Sequence, residues 1–227
     1  MISIKNLKSS EGSGLPKVIA PGNVVCKINS IKLETPSYDT SASFLVMNVE
    51  TEPIENFEGF YIDKNNPDAG RHLGQVGKVK TNEYAYKDGT TKTGIKIQRD
   101  RSILIFLQSL CKTLGVNEWF TEQDGKHDTI EDFVDAFNAS APIKDKYLEF
   151  CVAGREYEGK TGYTNYDMWL PKAEGKKYAF GAEADGVVIK YDEAKHLKKL
   201  EVKEVKSFGD DEDVFLTPKT SSDFSLD

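Results

Sequence analysis

Apolar and polar positions alternate with a period of two in three early stretches and one late pair, and the spacing turns helical only between them. Val24–Glu34 alternates with Val24, Cys26 and Ile28 on one face, as a half-buried strand requires. After Pro36, Ala42–Thr51 predicts a second strand with Phe44, Val46 and Met47 as its apolar positions. His72–Lys80 predicts a third, in which Gly74 and Gly77 mark a bulge or a close backbone approach. Glu52–Gly70 between them is irregular, and Thr81–Gly94 reads as a long hairpin tip turning at Asp88-Gly89.

The period then changes. Ile103, Phe106, Leu107, Leu110, Cys111 and Leu114 fall at helical spacing, with Asp100 or Ser102 as N-cap and Gly115 as stop. Ile130, Phe133, Val134 and Phe137 share a face of a second, shorter helix, which Asp128 and Glu131 open as a capping box. Trp119 and Phe120, between the two, read as core. Tyr147–Pro171 restores the period of two as a pair of β-runs. Leu148, Phe150 and Val152 form the apolar face of the first run, while Tyr147, Cys151, Arg155 and Tyr157 form the other. Tyr178–Lys190 predicts a short strand pair, and Tyr191–Lys206 a charged helical or extended spacer.

Three strands, a helical insertion and two more strands is the element order of the OB-fold. The expected fold class is therefore mostly β with a helical insertion (α+β), an OB-fold-like five-stranded barrel. Residues 1–22 are expected to be a flexible arm, 23–206 the domain with its insertion at about 99–140, and 207–227 a disordered acidic tail.

Charge changes the picture more than composition does. The chain carries a formal −7, but residues 207–227 hold six acids against Lys219 alone. Arg71–Arg101 holds eight bases against three acids. Rings sit among those cations: Lys78, Lys80, Tyr84, Tyr86, Lys87, Lys92 and Lys96 in the strip, and Arg155, Tyr157, Lys160, Tyr163 and Trp169 in the late hairpin. Bases stack on rings while phosphates seek cations, so this interleaving nominates those twelve residues for a single-stranded nucleic acid. Tyr84 and Tyr86, one residue apart, share a face if the chain there is extended.

The three cysteines and three histidines are scattered, with no CxxC, and read as buried free thiols of a reducing compartment without a zinc site. No signal-peptide-like segment and no apolar run of membrane-spanning length occurs, so a cytoplasmic protein is expected. No nucleophile elbow or P-loop is present, and no enzyme activity, cofactor or metal is expected.

Ile19–Ile31, Gly74–Ile95, Cys151–Pro171 and the acidic tail together resemble bacteriophage single-stranded-DNA-binding proteins. The resemblance implies an OB barrel that coats single strands during replication or recombination in the host cytoplasm. It also implies an acidic tail (Asp210, Asp211, Glu212, Asp213, Phe215 and Phe224) that contacts replication or recombination proteins and competes with DNA. Such tails often finish on an aromatic; here Phe224 is followed by Ser225-Leu226-Asp227. Two other readings stay open. A structural or virion module would bury the same rings against a partner. Asp68 with Glu158 and Lys160 imitates the carboxylate–carboxylate–lysine set of metal-dependent nucleases, a pattern that Glu201-Val202-Lys203 and Glu204-Val205-Lys206 also produce.

Overall fold

Five strands close on one another in a ring. The computed structural model describes residues 18–158, 164–175, 177–181 and 188–200. In chain order, β1 (Gly22–Glu34) pairs antiparallel with β2 (Phe44–Thr51). A small excursion follows, β3 (Phe60–Tyr61) against β4 (Arg71–His72), before β5 (Val76–Lys80) returns antiparallel to β2. A second excursion, β6 (Gly89–Thr90) with β7 (Lys96–Ile97), leads into helices α1 (Arg99–Thr113), α2 (Asn117–Glu122) and α3 (Ile130–Ser140). The chain re-enters the ring as β8 (Tyr147–Glu158) and β9 (Thr164–Trp169). β8 pairs antiparallel with β1 through its first half and with β9 through its second. β9 meets β5 in parallel, Lys80 beside Trp169, which closes the order β1-β2-β5-β9-β8-β1. β10 (Phe180–Gly181), α4 (Glu193–His196) and β11 (Leu197–Lys198) complete the described elements, and both of these short strands pair with β8. The architecture is mixed α+β, dominated by strands.

Closure needs bending, and the sequence provides it locally. β1 pairs with β8 over Gly22–Lys27 and with β2 over Cys26–Glu34, and a bulge between Ile28 and Ser30 bends it within the β2 ladder. The inward parity shifts there, from Cys26 and Ile28 to Ile31. Gly77 gives room to Ile19, whose side chain a Cβ would strike; Gly74 likewise lets the chain pass Thr51. The close approach read from those two glycines is present in the fold.

The core fills the ring with Cys26, Ile31, Leu45, Met47, Val79, Leu148, Phe150, Val152 and Met168. α1 adds Ile103, Leu107, Leu110 and Cys111, and α3 adds Phe133, Val134 and Phe137. α3 is fastened to β1 by Asn138, whose side chain accepts from the Ile31 N–H at 2.8 Å and donates to the Ile31 carbonyl at 2.7 Å. A mid-strand peptide group without a strand partner on that side is thereby satisfied. All three cysteines are buried free thiols, and burial pushes Cys26 and Cys111 up to about 12. No helix among the described residues is long and apolar enough to cross a membrane.

Several expectations are corrected. Of the apolar positions read in the second strand, Val46 and Met47 are buried and Phe44 only half-buried, and Leu45 and Val49 join Met47 in the core cluster. The third strand begins at Val76, because Arg71–His72 is diverted to β4. The turn beyond it lies at Thr91–Gly94: Gly94 donates to the Thr91 carbonyl and has φ +85°, while Asp88 instead accepts from the Arg99 N–H. α1 starts at Arg99 after Gln98 without a side-chain cap, and Gly115 ends it with φ +68°. Trp119 and Phe120 lie on α2, a helix too short to show a period. α3 is capped by Thr129, which accepts from the Asp132 N–H, one residue later than the box read from Asp128 and Glu131.

Candidate nucleic-acid interface

Strand alternation puts Gly77 and Val79 of β5 toward the core and Lys78 and Lys80 on the outer face. Lys80 is held between two partners. Its Nζ lies 2.7 Å from Asp167 Oδ1 on β9 and 4.5 Å from the centroid of the Phe44 ring on β2. Lys78 reaches Glu34 on β1 at 3.6 Å, and both of these side chains are exposed. Glu34, Val46, Lys78, Lys80, Tyr157, Tyr166 and Asp167 line an open recess of about 350 Å³.

Beside it stands a second cluster. Arg155 and Lys198 lie over the Trp169 ring, at 6.0 and 5.3 Å from its centroid. Glu83 bridges them: its Oε1 accepts from Arg155 Nη2 at 3.5 Å and pairs with Lys198 Nζ. Trp169 shares the outward face of Lys80 and Asp167 by register, yet the cover leaves it only 5% exposed. The expectation of an open Trp169 platform is corrected: local alternation assigns the face, but the covering lysine arrives from β11.

The other nominated residues divide. Tyr157 and Tyr84 are exposed, at 48% and 71%, and are open for stacking. Tyr86 is not on Tyr84's face. The chain bends through 81–84, and Tyr86 forms an isolated bridge with Ser43, its hydroxyl 3.0 Å from Thr81 Oγ1 and its ring against the core. Burial raises its pKa. Lys87 pairs with Asp39 at 3.9 Å, while Lys92 and Lys96 lie exposed on the β6–β7 excursion, apart from the recess. On β8, Cys151 is buried, which leaves Arg155 and Tyr157 as the exposed part of the ring-bearing face. Lys160 and Tyr163 lie outside the described residues, as do Asp210, Asp211, Glu212, Asp213, Phe215 and Phe224 of the tail. Of the nuclease-like set, Asp68 lies in the short 3-10 turn Pro67–Ala69 and Glu158 ends β8.

Sequence reasoning missed Phe44, Lys198 and the counter-charges Glu34, Glu83 and Asp167. A parity count on β2 that favoured Leu45 and Met47 as inward would have found Phe44. The other four come from distant elements and carry no local signal. Chemically, the face offers cations already aimed outward and each matched to a carboxylate, the Lys78–Glu34 pair exposed and the Lys80–Asp167 and Arg155–Glu83 pairs partly so. Such pairs are individually weak, so a polyanion can take the carboxylates' place at small cost.

No family model matches the chain, and no curated protein or solved structure matches it.

Proposed function

We propose that this chain binds single-stranded DNA with little sequence preference, on the outer face of β2, β5, β8 and β9 of an OB-fold barrel. The observation that carries the reading is the recess where Lys78 and Lys80 of the ring's third strand meet Phe44 of its second and Tyr157 of β8. In the OB-fold the face of the second and third strands, with the loops between strands one and two and between four and five, holds the oligonucleotide. The ring order, the parallel contact between β5 and β9, and the helices between β5 and β8 support that fold. Lys160 and Tyr163 fall, in sequence, between β8 and β9. Exposed rings stack bases without regard to sequence, at about 1–3 kcal/mol per base.

The reading extends to coating and protecting single strands during phage-type replication or recombination. Residues 207–227 then serve as a contact for partner proteins and as a competitor for the same face. The last described residues support competition: Lys198 sits over Trp169 and the Leu200 N–H donates to Glu156 Oε2, so residue 200 is fixed beside the cations. Titrating labelled oligo-dT and the same-length duplex at two salt concentrations tests the reading. Single strands are expected to bind more tightly, with log K falling by about 0.7 per phosphate contact for each decade of salt. Equal affinities or a flat salt response would refute it.

A further inference from the structure

Another recess among the described residues lies away from the sheet face. It lies on the helical insertion, a groove of about 540 Å³ between the outer side of α1 and the turn joining α2 to α3. Its floor is apolar: Leu104, Ile105, Phe120, Ile130 and Phe133. Ile105 stands 55% exposed there. Its rim carries Asp100, Asp124 and Asp128 against Arg101, and residues 117–135 as a whole hold seven acids and the single base Lys126. An apolar floor inside an acidic rim fits a basic segment with spaced aliphatic side chains, and it repels nucleic acid.

The polypeptide contains one such segment outside the described residues. Residues 1–17 place Ile2, Ile4, Leu7 and Leu15 among Lys5, Lys8 and Lys17, with Glu11 as the only acid. Residues 201–227, the other terminal stretch, hold eight acids against three bases and carry the wrong sign for this rim. Reach is ample. Val18 is anchored to β5 by a bridge to Val76, and Ile19 is buried behind it. Seventeen extended residues span up to roughly 55 Å, whereas a domain of this size has a radius of gyration of about 16 Å.

We infer that the groove on α1–α3 is the docking site for residues 1–17 of the same molecule. The aliphatic side chains of that segment cover Ile105 and its neighbours, and its lysines face the rim aspartates. The chain then carries a basic strap on its acidic insertion, apart from the cation-lined face on the sheet. The inference stands independently of what the sheet face binds.

A photo-crosslinking residue in place of Ile105 in the full chain tests this directly, because that side chain is exposed and its replacement spares the core. Irradiation followed by digestion and mass spectrometry is expected to join position 105 to a peptide within residues 1–17. The yield should be independent of protein concentration. Lys5→Glu with Lys8→Glu should lower that yield about fivefold at low salt, and added oligo-dT should leave it unchanged. Crosslinks to residues 201–227, no crosslink, or a yield that rises with concentration through a second copy would each overturn the inference.

Discussion

The sheet face and the helical insertion both hold aromatic residues among charges, and they use them in opposite ways. On the insertion, Trp119 packs edge-on against Phe133 and Phe137 at 6.1 and 5.5 Å, and Phe120 against Phe133 at 5.3 Å. The rings there hold one another, and the charges around them are acidic. On the sheet, Phe44 and Trp169 meet the cations Lys80, Arg155 and Lys198, while Tyr84 and Tyr157 stand open. Aromatic content alone therefore does not separate a core from a stacking surface. What a ring touches does: ring against ring closes a core, ring against cation leaves a face that an anion can enter.

The comparison breaks most visibly under charge reversal. Lys78→Glu with Lys80→Glu is expected to weaken oligo-dT binding by about a hundredfold or more at low salt. Glu118→Lys with Glu122→Lys on α2 should change it by less than about threefold. Fluorescence anisotropy on both variants checks the contrast, and similar losses in the two would erase it.

A smaller effect falls on stability. Glu50 on β2 is buried, and that burial acts to raise its pKa. Hydrogen bonds from Asn29, His72 and the Leu73 and Gly74 N–H groups outweigh it and leave the carboxyl below its usual range. Glu50→Ala strands these partners and should lower unfolding free energy by about 2–3 kcal/mol in a denaturant titration near neutral pH. A depressed carboxylate contributes stability above its unfolded pKa and loses it as pH falls through the folded one. The gap between wild type and variant should therefore narrow below the ordinary carboxylate range. A gap that widens on acidification would contradict this role for Glu50.

The two tyrosine environments separate next. Tyr157→Ala should cost single-strand binding about 1–2 kcal/mol and leave stability nearly unchanged. Tyr86→Phe should do the reverse, losing about 1 kcal/mol of stability with its Thr81 bond and no affinity. Paired thermal melts and titrations read both. Smallest of all, Trp169→Phe is expected to shift affinity by less than about threefold, since a covered ring stacks no base.

The ring strands were legible because alternation over five or more residues has one physical cause. Parity was less secure. Phe44–Met47 is apolar at both parities, so only the packing partners decide that Leu45 and Met47 join the core cluster. Tyr84 and Tyr86 separate because shared faces require an extended chain, and this one bends. Trp169 lies on the outer face, but Lys198 covers it from an element that sequence adjacency cannot place. The cations were visible in the sequence, whereas their matching to Glu34, Glu83 and Asp167 belongs to the ring closure itself.

The central claim is that single strands lie on the sheet face and not on the insertion. Residue-resolved backbone NMR of the full chain, with and without oligo-dT, tests it most directly. The account predicts shifts concentrated at Lys78, Lys80, Tyr84, Arg155 and Tyr157, with residues 117–135 unmoved. Shifts concentrated on α2 and α3, with β5 and β8 silent, would contradict it.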